Sequence, residues 1–161
     1  MRILLPLMVL LTLNGSTYSQ QLDNEQLLDL MQSQRYNEAA ALITSSYPEG
    51  SNDAKIIARL AYCTYMAGNL AEAEKNYKLL LERDSTNKTV LFNLAGINNK
   101  RGNTIQTNFY YQKILKIDST NFTVYKQLAA LAERMNEAEN YGFYAIYADT
   151  DGFYAKYKSK K

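Results

Sequence analysis

Apolar residues fall at helical spacing along most of this chain. In residues 54–66, Ile57, Leu60, Ala61 and Thr64 stand three, one and three residues apart, a single stripe on a helix, and Gly68-Asn69 then interrupts the run. Leu70, Ala73, Tyr77, Leu80 and Leu81 make a second stripe that stops at Asp84-Ser85-Thr86-Asn87, where Ser, Thr and Asn suit the capping of another helix. The pattern predicts two helices of about 13 residues joined by a tight turn. One such hairpin cannot bury both of its stripes, so it needs a neighbour to stack on.

The sequence supplies neighbours. Asp84-Ser85-Thr86-Asn87 returns unchanged as Asp118-Ser119-Thr120-Asn121, 34 residues on. The same interval aligns Gly68-Asn69 with Gly102-Asn103, Tyr77 with Tyr111, Leu81 with Leu115, and Leu60-Ala61 with Leu94-Ala95 and Leu128-Ala129. Running backward, Ala73 aligns with Ala39 in Tyr36-Asn37-Glu38-Ala39-Ala40. A period of this length marks a stack of supersecondary units rather than a single-core domain.

These residues resemble the tetratricopeptide repeat family, whose 34-residue pattern runs Trp-x2-Leu-Gly-x2-Tyr, then Gly, Ala, an aromatic and Pro. Residues 54–87 match at Leu60-Ala61, Gly68, Ala73 and Tyr77, and residues 88–121 at Leu94-Ala95, Gly102 and Tyr111. Ile57 and Leu91 replace the Trp, Thr107 the Ala, and Ser85 and Ser119 the Pro. Residues 20–53 read as a divergent first repeat, good at Tyr36 and Ala39 but with Gln26 in place of a Leu. Residues 122–151 read as a degenerate repeat: Asp149 follows Asp118 by 31 residues, so three are missing near 133–136 if Ala138 plays the part of Ala73. Residues 152–161 form a Lys- and Tyr-rich tail or partial cap. The resemblance implies an all-α solenoid of antiparallel hairpins, about three to four units long.

Residues 1–19 stand apart. Arg2, the apolar run 3–13 and the polar 14–19 read as a secretory signal peptide, with Thr17 and Ser19 as the small residues before a cut that leaves Gln20 first. Export is then expected, to the periplasm or cell envelope in a bacterium and otherwise into the medium.

Composition narrows the chemistry. With 18 Lys plus Arg against 16 Asp plus Glu, the net charge of +2 gives no reason to expect a nucleic-acid partner. The absence of His removes the His-based triads and dyads, the His general base and His-containing zinc sites, and one Cys cannot form a thiolate cluster. Cys63 sits in an apolar helical stretch and reads as a core residue. Glu72 and Glu74, two apart on a helix, do not converge. The Asn-x-Thr triplets at Asn87 and Asn121 fall in turns, where capping accounts for them. An enzyme and a bound cofactor are not expected.

The resemblance places ligand contacts at positions 2, 5, 9 and 12 of each repeat, on the first helix, which lines a concave groove. Here these include Lys55, Tyr62 and Tyr65 in one unit, Phe92 and Asn99, with neighbouring Lys100, in the next, and Lys126 in the last. The aromatics suit burial against a polypeptide and the polar residues its orientation, although packing between repeats would account for the same aromatics. The Lys and Asn pattern that chaperone-tail-binding members use for a terminal carboxylate is absent, since Ala58 and Tyr62 hold those places. A polypeptide partner is therefore expected. The other readings are self-association through the aromatic C-terminal end (Tyr141, Phe143, Tyr144, Tyr147, Phe153, Tyr154, Tyr157), a piece of a longer repeat protein whose further repeats that end would meet, and peripheral envelope attachment through Lys156, Lys158, Lys160 and Lys161.

Overall fold

The structure, a computed structural model, describes residues 22–135. The segment read as a signal peptide, the end of the last repeat read as shortened and the Lys- and Tyr-rich tail lie outside them. Seven helices follow in order: α1 (Asn24–Gln32), α2 (Tyr36–Ser46), α3 (Ala54–Met66), α4 (Leu70–Arg83), α5 (Lys88–Lys100), α6 (Thr104–Ile117) and α7 (Phe122–Arg134). Among the described residues there is no strand, and no helix is long and apolar enough to cross a membrane. Each helix packs on its neighbours in the chain, most extensively α3 on α4 and α5 on α6.

The 34-residue period is written into the turns. The odd-numbered helices end at Gln32, Met66, Lys100 and Arg134, and the helices after the first three of these begin at Tyr36, Leu70 and Thr104. Gln34, Gly68 and Gly102 take positive φ values of 57°, 85° and 74° at equivalent places. Each turn closes with the same pair of backbone hydrogen bonds: Asn69 N–H reaches Thr64 O and Gly68 N–H reaches Tyr65 O, with matching pairs from Arg35 and Gln34 and from Asn103 and Gly102. This is the left-handed helix stop that glycine adopts without strain. Glutamine does the same work in the first unit.

The starts are capped. Asp53, Asn87 and Asn121, 34 apart, accept backbone N–H bonds from Lys55, Val90 and Val124 at 2.7, 3.1 and 3.1 Å. In the repeated tetrapeptide, Asp84 and Asp118 accept from the Thr86 and Thr120 hydroxyls at 2.7 and 3.0 Å. The Asp84 carboxyl is held below its ordinary value chiefly by the Thr86 hydroxyl, and Asp118 chiefly by Lys88 and then Thr120. The first unit departs from the others. Its cap is Asp23, four residues later than the period would place it, and α2 stops at Ser46, because Pro48 disfavours helical backbone at the preceding Tyr47.

Two clusters form the core. One runs from α3 to α7 through Ile57, Ala61, Tyr77, Leu91, Leu94 and Ile114, and the other joins α1 and α2 to α3 through Leu27, Leu30, Ile43, Ile56 and Cys63. Of the stripe read from the sequence on α3, Ile57 and Ala61 join the first cluster while Leu60 packs against the second. Ile56 and Cys63 form a second buried side, because a helix inside a stack has a neighbour on both flanks. Cys63 is fully buried, and burial pushes its thiol pKa up, with Arg59 opposing. Thr107 fits the small-residue position because its hydroxyl donates to Asn103 O at 2.8 Å.

Candidate functional site

Lys55, Tyr62 and Tyr65 lie on α3, Phe92, Asn99 and Lys100 on α5, and Lys126 on α7. Lys55 is exposed in the first turn of α3, and Lys126 is half-buried in the first half of α7. Tyr62 is 38% exposed and meets the Tyr36 ring edge-on at 5.9 Å. Tyr36, the first residue of α2, has its hydroxyl pKa pushed up chiefly by its hydrogen bond with Tyr62.

Tyr65 and Phe92 do more for the stack than a free anchor would. Both are half-buried against the main cluster. The Phe92 ring centroid lies 5.7 Å from that of Tyr111 on α6. Tyr65 points its hydroxyl at Gly96, where a Cβ would stand only 2.8 Å away, so this glycine makes room for the ring between two units. Lys100 Nζ lies 4.6 Å from the centre of the same ring, a cation–π contact across the units. Burial pushes the Tyr65 hydroxyl pKa up.

Asn99 is also engaged across units, accepting a 2.6 Å hydrogen bond from Arg134 Nη2. Tyr65 with Lys100 and Asn99 with Arg134 are the same pair of repeat positions, 35 residues apart. Arg59 Nη1 on Asn24 Oδ1 at 2.7 Å has that spacing too, nearer the other end of the helices. Arg59 and Arg134 were not expected as site residues. Their signal is the recurrence of polar or aromatic residues opposite a cation at an interval of 35, which periodicity within one helix does not reveal. Two openings line up with the predicted positions: a cavity of about 400 Å³ floored by Phe92 and Ile114 and bordered by Thr89 and Thr123, and one of about 280 Å³ beside Asn99, Gln127 and Ala130.

The helices also sort charge. α3, α5 and α7 together carry six Lys or Arg and one carboxylate, Glu133. By contrast α1 carries Glu25 and Asp29 and no cation, α6 carries Lys113 and Lys116 and no carboxylate, and three acidic residues stand on α4. There Glu74 pairs with Lys78 and Arg101, which hold its carboxyl below its ordinary value, while Glu72 accepts from Asn76 at 3.1 Å. These two carboxylates thus serve separate structural contacts.

No protein-family model matches this chain, and no curated protein sequence does. Solved structures match its shape. A crystal structure of MamA superposes with a TM-score of 0.68 at 15% identity over 85% of this chain and 81% of that one. MamA of MSR-1 gives 0.68 at 15% identity over 76% and 71%. PilF of Pseudomonas aeruginosa gives 0.60 at 16% identity over 86% and 65%. The fold is a tetratricopeptide-type helical solenoid. In that architecture the first helices of the hairpins, here α1, α3, α5 and α7, form the inner wall.

Proposed function

We propose that this chain is an exported, non-catalytic interaction scaffold that holds a polypeptide segment along the inner wall of α3, α5 and α7. The observation that carries the reading is the run of aromatic side chains on two successive inner helices: exposed Tyr62, then half-buried Tyr65, then Phe92 at the mouth of a cavity. Rings fixed by Tyr36, Gly96 and Tyr111 lose little freedom when a partner arrives, so contact with them is not offset by ordering. Lys55, Asn99, Lys100 and Lys126 flank the run and would set the direction of the bound chain. The similarity of fold to MamA and PilF supports a scaffold for protein partners, and the reading requires no cofactor.

A second reading, a self-assembling subunit, is favoured by α6, where Ile105 is 82% and Phe109 48% exposed on the outer wall. Affinity capture from the native envelope or medium, paired with light scattering, separates the two. Under the first, the chain is monomeric alone, capture is lost in Tyr62→Ala/Phe92→Ala, and Ile105→Ser/Phe109→Ser changes nothing. Concentration-dependent self-association abolished by Ile105→Ser/Phe109→Ser, with capture indifferent to the inner-wall pair, would replace it by the second.

A further inference from the structure

Arg59, Lys100 and Arg134 are positioned by uncharged groups: the Asn24 amide oxygen, the Tyr65 ring and the Asn99 amide oxygen. Outside the inner helices, Arg35, Lys75, Lys78 and Arg101 each meet a carboxylate, Arg83 donates to the carbonyl of Asn52, and Lys113 on α6 lies 4.9 Å from the Phe109 ring centre. At the start of α5, Lys88 meets Asp118 at 2.8 Å. The inner wall thus carries three cations whose side chains are already oriented and whose charge is not neutralised by the group that orients them.

From this arrangement we infer that the partner of the inner wall is an acidic polypeptide segment, whose carboxylates meet Lys100 and Arg134 at one edge and Arg59 toward the other, with its apolar side chains against Tyr62 and Phe92. This rests on the scaffold reading above and adds the partner's charge. A carboxylate approaching Lys100 or Arg134 gains an ion pair without having to order the cation first. It also approaches α3, α5 and α7, which together carry six cations, one of them paired with Asp118, against one carboxylate, with Glu25 and Asp29 on neighbouring α1, so the net positive field of these three helices steers it inward.

The same observations favour a peptide over the other polyanions. A nucleic-acid strand would want open ring faces to stack on, but Lys100 already lies over Tyr65, Phe92 leans on Tyr111, and Tyr62 is met by Tyr36. A bilayer presents its charge on a surface that is flat on the scale of a few helices, whereas these cations lie along the inner wall of a helical stack.

The test is fluorescence anisotropy of the full chain with four labelled 12-residue probes: a Glu/Ala peptide with two Phe, its Gln and Lys counterparts, and oligothymidine. Vesicles containing about 30% phosphatidylserine are tested by co-sedimentation. The Glu peptide should bind saturably and at least about fivefold more tightly than the Gln peptide, with affinity falling as salt rises from 0.05 to 0.5 M. Lys100→Gln/Arg134→Gln should weaken it about tenfold with helical circular dichroism unchanged. Lys100→Arg should retain most of the affinity. Lys113→Gln/Lys116→Gln, which removes the same charge from α6 on the outer wall, should leave binding unchanged. Equal weakening by the two double variants would overturn the inference, as would tighter binding of the Lys peptide, the oligothymidine or the vesicles. If Glu and Gln peptides bind equally and both lose affinity in Tyr62→Ala, the acidic partner fails while the scaffold reading stands.

Discussion

Gln34 closes the first turn with a left-handed backbone, φ +57°, in the place held by Gly68 and Gly102 in the next two units. Replacing it with glycine is a clean perturbation, because all three turns make the same pair of hydrogen bonds. A Cβ built on Gly68 or Gly102 would touch nothing within 4 Å, so its cost there is backbone strain alone. That strain is about 1–2 kcal/mol for an L-residue. Glycine returns roughly 0.5–1 kcal/mol of it through the greater freedom of the unfolded chain. Gln34→Gly is therefore expected to stabilise by up to about 1 kcal/mol, and Gly68→Gln and Gly102→Gln to destabilise by about as much. For a chain of this size that corresponds to roughly 3–5 °C in Tm. Thermal and urea unfolding followed by circular dichroism at 222 nm measures all three. In a stack with near-neighbour coupling, the Gln34 effect should appear in whichever transition involves the first hairpin. A destabilised Gln34→Gly, alongside destabilised Gly68→Gln and Gly102→Gln, would refute the equivalence of the three turns.

Three further outcomes follow from the same geometry. Asn121→Ala removes the side-chain cap of α7 and should cost about 1 kcal/mol by urea unfolding, whereas Asn121→Asp keeps an acceptor and most of the stability. The Cys63 thiol, buried and raised in pKa, should react with a disulfide reagent at least about tenfold more slowly in the folded than in the urea-unfolded chain, up to pH 9; similar rates would place it at the surface. Asp84 and Asp118 have folded pKa values below their unfolded ones, so their contribution is present above about pH 4 and is lost as pH falls through the folded values. Lys88→Ala removes the largest influence on Asp118 and should move acid unfolding upward by about a few tenths of a pH unit; an unmoved transition would show that the pair contributes nothing.

What was legible in the sequence was local. The interval of 34 residues is enough to recognise the stack, and Gly68, Gly102, Asp84 and Asp118 mark its turns by chemistry that acts within a few residues. The first unit was harder to read, because Gln34 performs a glycine's part without its signature and Pro48 cuts α2 short. The second buried side of α3 also escaped the stripe, since Ile56 and Cys63 answer to α1 and α2 rather than to their own hairpin.

By itself, the sequence determined the helices, their period, the turns that join them and the hairpin stack those imply, because caps, breakers and helical periodicity act through the backbone over one or two turns. Only the tertiary structure decided how far each aromatic is exposed and which cations are oriented by uncharged groups. Tyr65 passes under Lys100 because Gly96 leaves room for it, and Asn99 holds Arg134. These contacts join residues about 35 positions apart, and their formation depends on the spacing of successive helices and the rotamers that spacing permits. A stripe on a single helix carries neither.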